Sequence, residues 1–118
     1  MTEVVNAKIT GTHLGIEDHG ILTFFLYLEF DGYHQGFGGY ALDTYDKENK
    51  MRIGTAYGTD CILNILKVLE VNKWEDLKGK YVRIKRDGTW NEPITEIGHI
   101  VNNKWFNIKE LADKHFKT

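Results

Sequence analysis

The sequence predicts an α+β fold in one domain spanning residues 1–118: a curled antiparallel sheet, a partial barrel, carrying two α-helices. Three observations predict it. Leu22, Phe24, Leu26, Leu28 and Phe30 alternate with other residues over ten positions, the period of a strand. Ile62, Ile65, Leu66 and Leu69 recur at helical spacing, widened by Leu63 and Val68. Turn residues separate short runs along the chain, without repeats, linkers or low-complexity tracts.

The elements follow in order. Val4 to Leu14 reads as a first strand, with Val5, Ala7 and Ile9 on one face. The segment 15–20, bounded by Gly15 and Gly20, is a turn. Ile21 to Phe30 is the strongest strand, and its second face (Thr23, Phe25, Tyr27, Glu29) is partly aromatic. Asp31-Gly32 is a hairpin signal leading to a third antiparallel strand. Thr44 to Lys50 is a polar loop. The first helix starts near Thr59 or Asp60, either able to cap it. Trp74 to Lys80 is a tight turn into the strand Tyr81 to Arg86, where Val82 and Ile84 point inward and Arg83 outward. Asp87-Gly88 marks another turn, and Pro93 sits in its loop. Ile94 to Val101 and Lys104 to Phe106 form a last hairpin across Asn102-Asn103, a pair able to take positive φ. Asn107 caps a final helix, with Glu110 at the capping-box position and Phe106 placed to staple onto Leu111.

Composition narrows the function. With 118 residues, 42% of them hydrophobic and 13% aromatic, the chain buries one core. The start MTEVVNAKIT lacks a signal-peptide pattern and no run approaches a membrane span. A single cysteine, Cys61, forms no internal disulfide, which predicts a reducing, cytoplasmic setting. Fifteen basic against seventeen acidic residues give a net charge of −2, against coating nucleic acid through a bulk positive field. Only Arg52, Arg83 and Arg86 offer the planar fork suited to phosphate.

The stretch 35–43, Gln-Gly-Phe-Gly-Gly-Tyr-Ala-Leu-Asp, carries the most information. Glycine costs a strand interior entropy and packing, so three glycines around two aromatics need a reason. Two readings stand side by side: a bulge where strands pass closely, or a place where a flat polar ligand reaches backbone and stacks on a ring. The run 54–59, Gly-Thr-Ala-Tyr-Gly-Thr, opens a helix like a phosphate cradle. It has neither the spacing nor the lysine of a Walker motif, and Asp60 competes with an anion there. Together these segments predict a ligand site in which Phe37, Gly38, Gly39 and Tyr40 meet a base, Thr55 and Tyr57 line the helix start, and Arg52, Arg83 and Arg86 meet phosphate. Trp90 and Asn91, in a polar loop, add a lid or interface anchor. Trp74 and Trp105 read as packing residues.

No metal or cofactor is expected, because the histidines (His13, His19, His34, His99, His115) fit no ligand spacing. His13 and His99 form the best acid–base pair if they converge, but they lack an evident nucleophile. His115 reads as packed. Cys61 reads as a small apolar residue rather than a nucleophile. No enzymatic activity is expected.

The runs GTHLGIEDHG, QGFGGYALD, RIGTAYGT, WEDLKGKYVRI and IGHIVNNKWFNIKEL, from about Ala7 to Leu111, resemble a family encoded in phages and prophages: the first type of Thoeris anti-defence sponges. The resemblance implies a non-enzymatic protein of the bacterial host cytoplasm. It would bind cyclic ADP-ribose isomers made by TIR-domain enzymes and hold them from their effector. It also implies an interlocked homodimer or larger homo-oligomer with pockets at the subunit junction, and in some members separate sites for cyclic oligonucleotides. The aromatic second face of Ile21 to Phe30 would supply the dimer surface. The site residues named above rest on the residues themselves, not on the resemblance.

Three other classes remain open. A phage inhibitor binding a host defence protein would use Trp90, Tyr45 and the 44–50 loop. A single-strand nucleic-acid module would stack bases on Phe37 and Tyr40. A cyclic-nucleotide-degrading enzyme would use His13 and His99.

Overall fold

The computed structural model describes residues 3–86 and 93–116. Eight strands and two helices follow in chain order: β1 Glu3–Glu17, β2 Ile21–Phe30, β3 Tyr33–Gly38, β4 Asp43–Asp46, β5 Met51–Gly54, α1 Ala56–Leu69, β6 Tyr81–Arg86, β7 Glu96–His99, β8 Trp105–Asn107 and α2 Ile108–Phe116. Six strands form one open, curled antiparallel sheet in the order β3-β2-β1-β6-β7-β8, and β4-β5 form a separate ribbon. The α+β class and the antiparallel sheet are as the sequence predicts.

The two strands with the cleanest alternation, β2 and β6, run over the predicted residues. Between β2 and β3, Asp31 and Gly32 both take positive φ (50° and 79°), so the hairpin turn forms where expected. Its register sets Tyr27 opposite Gly36 and Phe25 opposite Gly38.

Four elements differ from expectation. β1 continues to Glu17, because residues 14–17 pair with β2, and the turn shrinks to Asp18–Gly20. The segment expected as a polar loop at 44–50 holds most of β4 and the turn of the β4–β5 hairpin, which Arg52 and Asp43 tie at its base. The first helix begins at Ala56, one turn early, since the Thr55 hydroxyl accepts from the Gly58 N–H (2.9 Å) and donates to the Leu42 carbonyl (2.8 Å). Neither Asn102 nor Asn103 has positive φ. The β7–β8 turn is tied instead by His99, whose Nδ1 accepts from the Val101 and Asn102 N–H groups. Asn107 caps α2 as expected, accepting from the Lys109 and Glu110 N–H groups.

The core lies on one face of the sheet. Ala7, Ile9, Phe24, Leu26, Leu28, Val82, Ile84 and Ile97 from the strands pack there with Cys61, Ile65 and Leu69 of α1 and with Ile108 and Leu111 of α2. A register shift at Ile9–Gly11 changes the phase of β1. Beyond it, Gly11 and His13 share the opposite face with Tyr27 and Phe25, because cross-strand partners share a face. Among the described residues no helix is long and apolar enough to cross a membrane.

Candidate functional site

The helix-free face of the sheet holds a platform of two aromatic rings. β2 supplies both, since the alternation that buries Phe24 and Leu26 turns Phe25 and Tyr27 the other way. Tyr27 is 44% exposed and Phe25 half-buried. Their rings are 9° from parallel with centroids 5.9 Å apart. Glycines make the floor. A Cβ at Gly11 would touch the Tyr27 ring at 3.5 Å, and one at Gly36 would touch Phe25 at 3.6 Å and Tyr27 at 4.0 Å. At Gly39, where φ is 86°, a Cβ would press on Phe25 at 3.1 Å. The glycines thus let two large rings lie close against backbone, with Tyr27 exposed and Phe25 half-buried. His13, 6.4 Å from Phe25, extends the row.

A further aromatic on this face is arranged differently. Trp105 lies against Gly98, where a Cβ would come within 2.5 Å of the indole. The Arg83 guanidinium stands 4.8 Å and the Lys85 ammonium 4.4 Å from its ring centroid. The chain's own cations therefore occupy the stacking positions that a ligand would use at Trp105.

The predicted site residues do not gather into one pocket. Phe37 is fully buried, with edge-to-face contacts to Phe24 and Phe106, so it is a core residue rather than a stacking platform. Gly38 (φ 128°) and Gly39 let the chain fold against β2, where the Gly39 N–H donates to the Phe24 carbonyl at 2.8 Å; the close-passage reading of these glycines holds. Tyr40 packs at the core margin, where burial raises its pKa, and its carbonyl accepts from the Thr23 hydroxyl. Thr55 is used as the helix cap. Tyr57 is buried against His115 and Phe116, its phenol pKa pushed up mainly by desolvation. Gly58 lies where a Cβ would collide with the Leu42 carbonyl, so this glycine serves helix packing rather than a phosphate cradle.

All three arginines are engaged within the chain. Arg52 binds the Asp43 carboxylate through Nε and Nη2, both at 2.8 Å, which holds the Asp43 pKa below the usual carboxylate range. Arg83 donates to the His99 carbonyl (2.7 Å) and the Asn102 carbonyl (2.8 Å). Arg86 lies over Phe30 at 4.8 Å, with Glu3 3.8 Å away. Trp90 and Asn91 lie outside the described residues.

The histidine pair does not converge. His99 sits across β6 from Ala7, and His13 stands six positions further along β1. At ~3.3 Å per residue that separates them by about 20 Å. His13 Nε2 lies 2.9 Å from Glu17 Oε1, at ion-pair distance but without hydrogen-bond alignment. His115 is packed as expected and meets Asp60 at 2.7 Å. Burial pushes the Cys61 thiol up to about 11, in keeping with a small apolar role. Among the described residues no group of histidines, cysteines and acids is placed to hold a metal.

Phe25, Tyr27, Gly11 and Gly36 were not among the predicted site residues. Their signal lay in the alternation of β2 combined with the Asp31-Gly32 turn, which fixes Gly36 opposite Tyr27.

No protein-family model, curated protein or solved structure matches the chain. The fold and site define a class on their own terms: an α+β protein with one sheet face sealed by helices and the other presenting an open ring platform.

Proposed function

We propose that this protein captures a small ring-bearing nucleotide signal, of the cyclic ADP-ribose type or a cyclic oligonucleotide, and withholds it without degrading it. The observation that carries the reading is the Phe25–Tyr27 platform, two near-parallel rings on a glycine floor, Tyr27 exposed and Phe25 half-buried. Stacking on an aromatic side chain stabilises a base by ~1–3 kcal/mol and demands no chemistry of it. A platform open on one side holds a ligand weakly, which favours a homodimer in which a second copy closes over it. The ligand class, and the cytoplasm of an infected bacterium as the place of action, are what the sequence resemblance to anti-defence sponges implies.

Depletion and recovery test this reading. Pure protein is incubated with cyclic ADP-ribose isomers from an activated TIR enzyme, and the free signal is assayed before and after heat denaturation. Signal that falls and then returns intact supports capture. Signal lost for good points to a degrading enzyme, and signal that never falls removes these ligands.

A second reading has its own observation. Leu14, Ile16, Tyr45, Met51 and Ile53 are exposed large apolar residues on the free end of the β1–β2 ribbon and on the β4–β5 hairpin. Such residues suit direct binding to a host protein. Recovery of one host protein at fixed stoichiometry, lost on Ile53→Asp and Met51→Asp, would favour it over capture.

A further inference from the structure

The open platform ends at a cavity of about 310 Å³ lined by Glu17, Asp18, Ile21, Thr23, Phe25 and Gly39. That volume falls at the lower end of the range for small-molecule sites, ~300–1,000 Å³. Its position is set by the narrow Asp18–Gly20 turn on one side and by Gly39 leaving β3 on the other.

The polar groups of this lining are biased toward acceptors. The Thr23 hydroxyl donates to the Tyr40 carbonyl at 2.7 Å. The Gly39 N–H donates to the Phe24 carbonyl at 2.8 Å. These two donors are thereby used, whereas the carboxylates of Glu17 and Asp18 accept only, one Glu17 oxygen lying 2.9 Å from His13 Nε2. Among the described residues no lysine or arginine lines the cavity. Such a rim repels phosphate and ring carbonyls and attracts N–H groups, while Phe25 supplies an apolar wall for the ring itself.

We infer that the cavity takes the amino-bearing edge of a flat heterocycle, stacked on Phe25 with its exocyclic N–H groups donated to the Glu17 and Asp18 carboxylates. This deepens the ring-capture reading and rests on it, by naming the chemical class of ring and the end that enters. Amino rings, such as adenine and cytosine, present a donor where the oxo rings hypoxanthine and uracil present an acceptor. A hydrogen bond to a charged acceptor is stronger than one between neutral groups. An oxo ring also leaves the carboxylates facing a carbonyl oxygen. Discrimination therefore follows the amine rather than ring size.

The test is an NMR titration of the full chain with adenosine, cytidine, inosine, uridine and ribose 5-phosphate at millimolar concentration. The signals followed are the Phe25 and Tyr27 rings and the Gly39 amide. Adenosine and cytidine are expected to shift them, with inosine and uridine about tenfold weaker and ribose 5-phosphate leaving them in place. The exposed double substitution Glu17→Gln with Asp18→Asn is expected to bring amino and oxo nucleosides close to parity, with the Phe25 response retained and core signals unchanged. Equal binding of amino and oxo nucleosides by the unsubstituted protein overturns the amine assignment while leaving ring capture standing. Ribose 5-phosphate shifting the same signals as strongly as adenosine overturns it too. If no nucleoside moves the platform signals, ring capture on this face falls with it.

Discussion

On the helix side of the sheet, Phe24 and Phe37 meet edge to face at 5.8 Å and are sealed from solvent. On the other side Phe25 and Tyr27, interleaved with the core residues along the same strand, lie nearly parallel with Tyr27 44% exposed. The difference separates two uses of an aromatic ring. A sealed ring contributes through burial and directional contact with its neighbours. An open ring pair on a glycine floor contributes less to stability and leaves its outer face for something else. Glycine divides in the same way. Gly58 accommodates the Leu42 carbonyl inside the fold, whereas Gly11 and Gly36 clear space beneath rings that face outward. Trp105 shows the intermediate case, an aromatic on the open face covered by Arg83 and Lys85.

That contrast can be broken at several points. Phe37→Ala should cost the most, about 3–5 kcal/mol in chemical denaturation, while ring binding per folded molecule stays unchanged. Lost binding in a sample shown to be folded would place Phe37 in the site after all. Gly58→Ala comes next: its Cβ meets backbone that cannot swing away, so about 1–3 kcal/mol is expected as a lowered Tm. An unchanged Tm would mean the α1–Leu42 approach is looser than described.

Asp43 tests the β4–β5 hairpin. Its folded pKa is depressed, first by the hydrogen bond from Arg52, so its contribution is fully present above the unfolded value of ~3.9. The contribution is lost as pH falls through the lower folded value. Hydrogen exchange of the β4–β5 amides should therefore accelerate below about pH 4 relative to the main sheet, and Asp43→Asn should remove that acid dependence. Identical acid profiles in the two proteins would show that the ion pair does not hold the hairpin. The smallest stability effect is expected for Tyr27→Ala, within about 1 kcal/mol, although it should weaken capture of a ring ligand by about tenfold.

Much of the fold was legible because one face of most elements is buried. β2 and β6 alternate cleanly, and their bounds follow from that pattern. The part of the β4–β5 hairpin at 44–50 reads as a loop for the complementary reason. Tyr45 faces one way and Met51 and Ile53 the other, all exposed, so no buried face imprints an alternation. The helix start was misplaced because Thr55, Thr59 and Asp60 can all cap, and the Thr55 bond to Leu42 that decides among them is tertiary.

The candidate site's ring-on-glycine geometry is legible in kind and not in place. Glycines among aromatics did mark a region where rings meet backbone, but the ring singled out, Phe37, faces the core. Counting back through the Asp31-Gly32 turn would have set Gly36 opposite Tyr27 and transferred the assignment to β2. The arginines misled because a sequence does not display their partners. Asp43 lies nine residues from Arg52, and Arg83 spends its guanidinium on backbone carbonyls sixteen and nineteen residues away.

The most direct test of the central claim compares capture of a cyclic ADP-ribose isomer by the wild-type protein and by the Phe25→Ala, Tyr27→Ala double variant, with folding of each verified by unchanged core methyl signals. The account predicts that the wild type depletes the free signal and releases it intact on heating, while the folded double variant leaves it in solution. Depletion by the double variant equal to that by the wild type would contradict the account and move the capture surface off this face of the sheet.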